Sequence, residues 1–202
     1  MNMDHISRDR AAVHEILSRS LNLDKQLPDQ IFSHNFKAFL FFDSDWMFDC
    51  GFVKSMQPVM RKEGSTTILV RNIDRIANSG RARSSFFIEQ STSPDAYQQH
   101  LAGENGDHAS SWLIDFGRFA CCSGSGKWCI YAERSEEIAI IGFGSAHDSE
   151  VYASLLKPLK PVDIEHAIAL EHTWAFGEHG MTKEWRDRLL SEYGSPARKT
   201  SV

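Results

Sequence analysis

The residues of this chain best equipped for chemistry fall in a few short stretches. Asp43 and Asp45 follow the apolar run Phe39-Leu40-Phe41-Phe42, so two carboxylates stand at the end of an apolar segment. Gly124-Ser125-Gly126-Lys127 has the look of a phosphate cradle, which requires a glycine five residues before the Gly-Lys pair and Ser or Thr after it. Cys121 and Trp128 occupy those two places, so a flexible hairpin turn is the better reading. Glu165-His166, Glu171-His172 and Glu178-His179 place three histidines six and seven residues apart. Ligands on one helix face stand three or four apart, so this spacing does not make a metal site. The four cysteines, Cys50, Cys121, Cys122 and Cys129, form no Cys-x-x-Cys pair and read as small buried hydrophobes. Ser145, in Gly142-Phe143-Gly144-Ser145-Ala146, lacks the second glycine of a nucleophile elbow.

The run from Phe39 to Asp45 resembles the opening motif of haloacid-dehalogenase-type phosphotransferases. That resemblance implies a magnesium-dependent phosphatase in which Asp43 attacks phosphorus and Asp45 acts as general acid and base. Ile138 to Asp148 would then supply the last acidic motif, and Lys127 the lysine. The departures lie in Phe143, where an acid should follow Gly142, and in Trp46-Met47 after the second aspartate. The competing reading makes Asp43 a turn residue and Asp45 a helix cap. It is preferred here, so no catalytic residue is assigned.

The elements that position these residues follow from hydrophobic period and punctuation. Ile6, Val13, Ile16, Leu17 and Leu21 form one stripe of a first helix, and Ala38–Phe42 reads as a buried strand. Trp46, Val53 and Met56 predict a helix that Pro58 kinks or stops. Thr66–Val70 and Ser84–Ile88 are strands joined across a Ser79-Gly80 turn. Ser93-Pro94-Asp95 starts a helix that ends at Gly103. Trp112–Cys122, Lys127–Glu133 and Glu137–Phe143 predict an antiparallel three-stranded meander. Asp148 caps a short helix to Leu156, Pro161 opens another reaching Gly177, and Thr182 caps the last, which carries Trp185, Leu189 and Tyr193 and ends at Gly194. The expected fold is a single α+β domain over 1–194, with a mixed or mainly antiparallel sheet and helices at both chain ends. A flexible tail covers 195–202.

The 202 residues are 42% hydrophobic and 24% charged, which excludes disorder and a disulfide-stapled miniprotein. No apolar run approaches the roughly 20 residues of a membrane span, and no secretory signal opens the chain; the expected compartment is the cytoplasm. Net charge is −5, unevenly spread. Between Ser84 and Gly117 there is no Lys or Arg, while Glu89, Asp95, Glu104, Asp107 and Asp115 are acidic; Pro161–Thr182 repeats the pattern. Acidic faces repel nucleic acid and attract a basic protein.

The run Trp128-Cys129-Ile130-Tyr131-Ala132-Glu133-Arg134, turning into Ile138-Ala139-Ile140-Ile141-Gly142-Phe143, resembles the hairpins of bacterial toxin-immunity proteins. The resemblance implies a non-catalytic cytosolic inhibitor that neutralises a toxin or effector by binding it, with no cofactor and no metal. Its expected contacts are the loop acids Glu104, Asp107, Glu133, Glu136 and Glu137, with Trp112 as a partly exposed aromatic anchor. The partner's identity and the oligomeric state are left open.

Overall fold

The computed structural model describes residues 3–74, 84–103, 111–169 and 181–194. The expected Ser79-Gly80 turn, Glu104, Asp107, His172, His179 and the tail 195–202 lie outside these residues. Among the described residues six α-helices and six strands follow one another as α1 (Met3–Ser20), β1 (Ala38–Asp43), α2 (Gly51–Glu63), β2 (Thr67–Asn72), β3 (Ser85–Glu89), α3 (Pro94–Ala102), β4 (Arg118–Ser123), β5 (Trp128–Glu133), β6 (Ile138–Phe143), α4 (Ala146–Ala153), α5 (Ile164–Ala169) and α6 (Lys183–Tyr193). The strands form one sheet in the order β1-β6-β5-β4-β2-β3, every pairing antiparallel. The fold is therefore α+β, with β4-β5-β6 as the expected meander.

Helices cover both faces of the sheet. α2, α3 and α4 pack against one, where Val53, Met56, Tyr97, Leu101 and Tyr152 meet Val70, Phe119, Trp128 and Ile141. α1, α5 and α6 cover the other, where Val13, Leu17, Ala167, Leu189 and Tyr193 meet Phe41, Leu69, Cys129 and Ile140. Because both faces are covered, β5 and β6 are buried at every position. No helix among the described residues is long and apolar enough to cross a membrane.

Local chemistry sets the helix starts. Ser93 Oγ accepts from Ala96 N–H at 3.1 Å and Thr182 Oγ1 from Trp185 N–H at 3.3 Å, satisfying donors that the first turn leaves free. At α4 the cap is Ser145 rather than Asp148: Ser145 Oγ accepts from Asp148 N–H at 3.1 Å and donates to the Asp148 carboxylate at 2.6 Å. Pro58 does not stop α2, which runs through it to Glu63. An interior proline costs about 3 kcal/mol, but Met56, Val59 and Met60 are buried around it and their packing offsets that cost.

The strand expected from Trp112 begins only at Arg118. Residues 112–117 instead form a loop in which Asp115 N–H donates to the Trp112 carbonyl at 3.2 Å and Gly117 N–H to Asp115 Oδ1 at 2.9 Å. All four cysteines are free; burial pushes the Cys121 and Cys129 thiols well up, which leaves them poor nucleophiles.

Gly142 in β6 is a packing requirement. A Cβ there would lie 2.7 and 2.8 Å from Phe32 ring atoms and 3.1 Å from Phe36. The Phe32 ring is in turn held by Phe36, Phe39 and Tyr193, with centroids 5.2–6.4 Å away. Gly142→Ala is expected to destabilise the fold by about 1–3 kcal/mol, the usual cost of overfilling a packed core. Urea unfolding with an unchanged m-value and a lower midpoint checks it; an unchanged midpoint would show that the rings yield.

Candidate functional site: an acidic cleft with an apolar ledge

Three segments meet at the end of the sheet where β5 turns into β6. β1 delivers Asp43, which stands opposite Ile138 in the register. Its Oδ1 accepts from Asp45 N–H at 2.8 Å and so caps a single 3-10 turn, Ser44–Phe48. That turn is fixed from below by the Tyr97 hydroxyl, which donates to the Met47 carbonyl, and from the side by Ser44 N–H, which donates to the Glu137 carbonyl at 3.3 Å. The second segment is the loop 111–117. The third is the β5–β6 turn, Arg134–Glu136, closed by Glu137 in the left-handed region at φ 55°.

Arg134 ties the three together. Its Nη1 donates to the carbonyls of Trp112, Leu113 and Asp115 at 3.1, 3.0 and 2.9 Å, while Nε and Nη2 reach Asp45 Oδ1 at 3.2 and 3.0 Å. The guanidinium carbon lies 4.2 Å from the Phe48 ring centroid and 5.2 Å from that of Phe116. The Arg134 side chain is only 9% exposed, whereas that of Asp45 is 69% exposed. Arg134 is therefore a structural pin that ties the 111–117 loop to the 3-10 turn.

Around the pin lies a cleft of about 400 Å³, lined by Asp43, Asp45, Trp46, Phe48, Asp49, Leu113 and Arg134. Three carboxylates face one guanidinium, and Glu137 adds its charge at Asp43. Asp43 is held above the ordinary aspartate range by burial first, with the neighbouring Asp45 and Glu137 charges adding to it against the Asp45 N–H and Arg134. Lys160 Nζ stands 5.4 Å from the Trp46 ring, so this wall already attracts a cation. Beside the cleft, Ile114 is 62% and Phe116 67% exposed. Among the described residues these are the exposed large hydrophobics, and they stand two positions apart.

Asp43, Asp45 and Glu137, singled out for different reasons in the sequence, come together here, whereas the charge of Glu136 acts on Glu133. Glu136 is half-buried and Glu137 exposed. Two other expected contacts are corrected. Trp112 is 1% exposed, packed between Phe86 and Phe119 at 4.9 and 5.5 Å, and is core rather than a surface anchor. Glu133 is 8% exposed on the opposite face of the sheet, where it accepts from the Tyr131 hydroxyl at 2.9 Å and from Leu27 N–H at 3.3 Å.

Several acids of the expected acidic stretches are partnered. Glu89 pairs with Arg10 at 3.0 Å, Asp163 with His166 at 2.7 Å, and Asp115 accepts from Asn72 Nδ2 at 2.8 Å. Ile114, Phe116, Asp49 and Arg134 were missed as site residues. The Asp115-Phe116-Gly117 turn signal, buried in an apparent strand, was the cue that could have revealed the loop.

Phosphotransferase chemistry on Asp43 does not fit this arrangement. β1 is an edge strand paired antiparallel with β6, and Asp43 Oδ1 is spent on a cap. Lys127 precedes Trp128, which aligns through Phe143 with Ala38, so it sits at the far end of β1, about five residue steps or ~17 Å away. Among the described residues no group of three or more His, Cys, Asp or Glu is disposed to hold a metal ion. No protein-family model, no curated protein and no solved structure matches the chain.

Glu133 gives the fold a pH dependence. Its pKa is raised, by burial first and then by the Glu136 charge, against hydrogen bonds from Tyr131 and Leu27. A carboxyl with a folded pKa above its unfolded value, about 4.3, makes the native state bind the extra proton. Stability therefore falls as pH rises from that value through the folded pKa. Glu133→Gln keeps an acceptor for both donors and removes the charge. It is expected to be at least as stable as the parent at pH 8 and to flatten the decline between pH 5 and 8, with Asp43 leaving a residue of the same sign. Urea unfolding at both pH values checks this; a variant weaker at pH 8 with the same slope would contradict it.

Proposed function

We propose that the protein is a non-catalytic binding protein that takes a cationic protein partner at the acidic cleft, and that the partner is a toxin or effector domain which it neutralises in the cytosol. The reading is carried by one observation: carboxylates outnumber the single guanidinium that lines the cleft, and that guanidinium is committed to backbone carbonyls and Asp45. The resemblance of the β5–β6 hairpin to those of toxin-immunity proteins supports the choice of partner class. Carboxylates at Asp43, Asp49 and Glu137 would speed encounter with a basic surface and fix its register, and the effect would weaken with salt.

The test is genetic and quantitative. The chain, with and without Asp43→Asn, Asp49→Asn and Glu137→Gln together, is used to isolate its partner from the native host at low salt. The partner domain is then expressed alone and with each form. Growth arrest relieved by the parent chain but not by the triple variant is the expected result. A partner that does not arrest growth, or equal relief by both forms, would overturn the reading.

A further inference from the structure

We infer that Ile114 and Phe116 form a docking ledge for a short partner segment in which an apolar side chain stands next to an arginine or lysine, the apolar group packing on the ledge and the cation entering the cleft. This rests on the binding reading above and deepens it by naming the chemistry recognised. A single exposed hydrophobic side chain is ordinary; two large ones two positions apart, propped outward by a buried arginine, are a built surface.

Charge complementarity decides the occupant. Phe116 lies against Arg134, which lines the cleft together with Asp43, Asp45 and Asp49, so an anionic lipid surface or an acidic protein meets like charge beside the ledge, and a purely apolar segment leaves the carboxylates without a partner. Asp43 and Asp49 each give one oxygen, Oδ1, to a backbone N–H, of Asp45 at 2.8 Å and of Gly51 at 2.6 Å. The second oxygen of each accepts no hydrogen bond among the described residues and can take a donor from outside.

The internal contacts supply a precedent for the mode of binding. Arg134 is held between Phe48 and Phe116 while bonding Asp45, and Lys160 stands over Trp46. An incoming guanidinium repeats that combination of ring and carboxylate, and its planar fork suits it better than an ammonium does.

The test uses the full chain, 15N-labelled, and four capped peptides: Gly-Leu-Arg-Leu-Gly, Gly-Leu-Lys-Leu-Gly, Gly-Gly-Arg-Gly-Gly and Gly-Leu-Glu-Leu-Gly. The expected result is saturable shifts of amides in 43–49 and 113–117 with the first two peptides, the arginine form binding more tightly. Phe116→Ser should weaken that binding at least tenfold while moving the thermal midpoint by no more than about 2 °C. Equal binding of the Gly-Gly-Arg peptide would show that charge alone is read, overturning the ledge while leaving the acidic-cleft reading standing. Equal binding of the glutamate peptide would overturn both. The same shifts produced by raising protein concentration alone, and abolished by Phe116→Ser, would assign the ledge to a second copy and overturn the inference. No shift with any peptide at 5 mM would also overturn it, and the growth test would still decide the function separately.

Discussion

Replacing Arg134 by alanine is expected to lower the thermal unfolding midpoint by about 6–12 °C, the equivalent of about 3 kcal/mol in a domain of this size. The size comes from the carbonyl bonds rather than from the ion pair. Nη1 has two hydrogens shared among the carbonyls of Trp112, Leu113 and Asp115, so at most two full charge-assisted bonds are lost, each worth about 1.5–3 kcal/mol. The Asp45 partner is largely solvated, and an exposed pair of that kind contributes about 0–1 kcal/mol. Asp45→Asn is accordingly expected to move the midpoint by no more than about 3 °C. Arg134→Lys keeps the charge but loses the planar fork and the stacking against Phe48 and Phe116, and recovers less than half of the loss. Differential scanning calorimetry on the three variants separates the terms. Equal effects of Arg134→Ala and Asp45→Asn would mean that the ion pair, not the loop, is what Arg134 serves.

Phe116→Asp has the opposite profile: binding of the isolated partner domain is expected to weaken about thirtyfold or more, while the thermal midpoint stays within about 2 °C. The side chain is two-thirds exposed, so its removal costs the folded state little. In a complex it becomes a desolvated aromatic anchor, and such positions lose about 2 kcal/mol or more on truncation. The added carboxylate separates the two components of recognition. A cationic partner should retain its association rate and dissociate faster, because apolar contacts formed after docking govern dissociation and long-range charge governs encounter. Asp43→Asn should do the reverse, slowing association and flattening its salt dependence. Surface plasmon resonance at two ionic strengths reads both rates; a Phe116→Asp variant that binds unchanged would remove the ledge from the interface.

The features legible in the sequence were those governed by neighbours along the chain. Ser93 and Thr182 capped the helices they announced, and Gly103 and Gly194 closed them, because a cap is decided within four residues. The β4-β5-β6 meander was equally local, with short turns between apolar runs. Contacts across long separations were not legible. Arg134 meets Asp45 from 89 positions away and Trp112 from 22, so nothing around it in sequence distinguished a pin from a turn residue. Trp112 looked like an anchor because tryptophan beside acids is often half-exposed; α3 and β3 enclose it instead. Glu133 looked like a surface acid at the end of an alternating strand, but helices on both faces leave no wet side there. Phe116 and Ile114 fitted the period of a strand, and only the Asp115-Phe116-Gly117 turn turns them outward.

Photo-crosslinking in the native host tests most directly whether this end of the sheet is where a cationic protein docks. A benzoylphenylalanine is placed at position 116 and, in a separate chain, at exposed position 12 on α1. Position 116 should yield one adduct, with a basic domain, that falls at least tenfold when Asp43→Asn and Glu137→Gln are added, and position 12 should yield none. An adduct from position 12 but not from 116, or one with an acidic protein indifferent to the carboxylate changes, would contradict it.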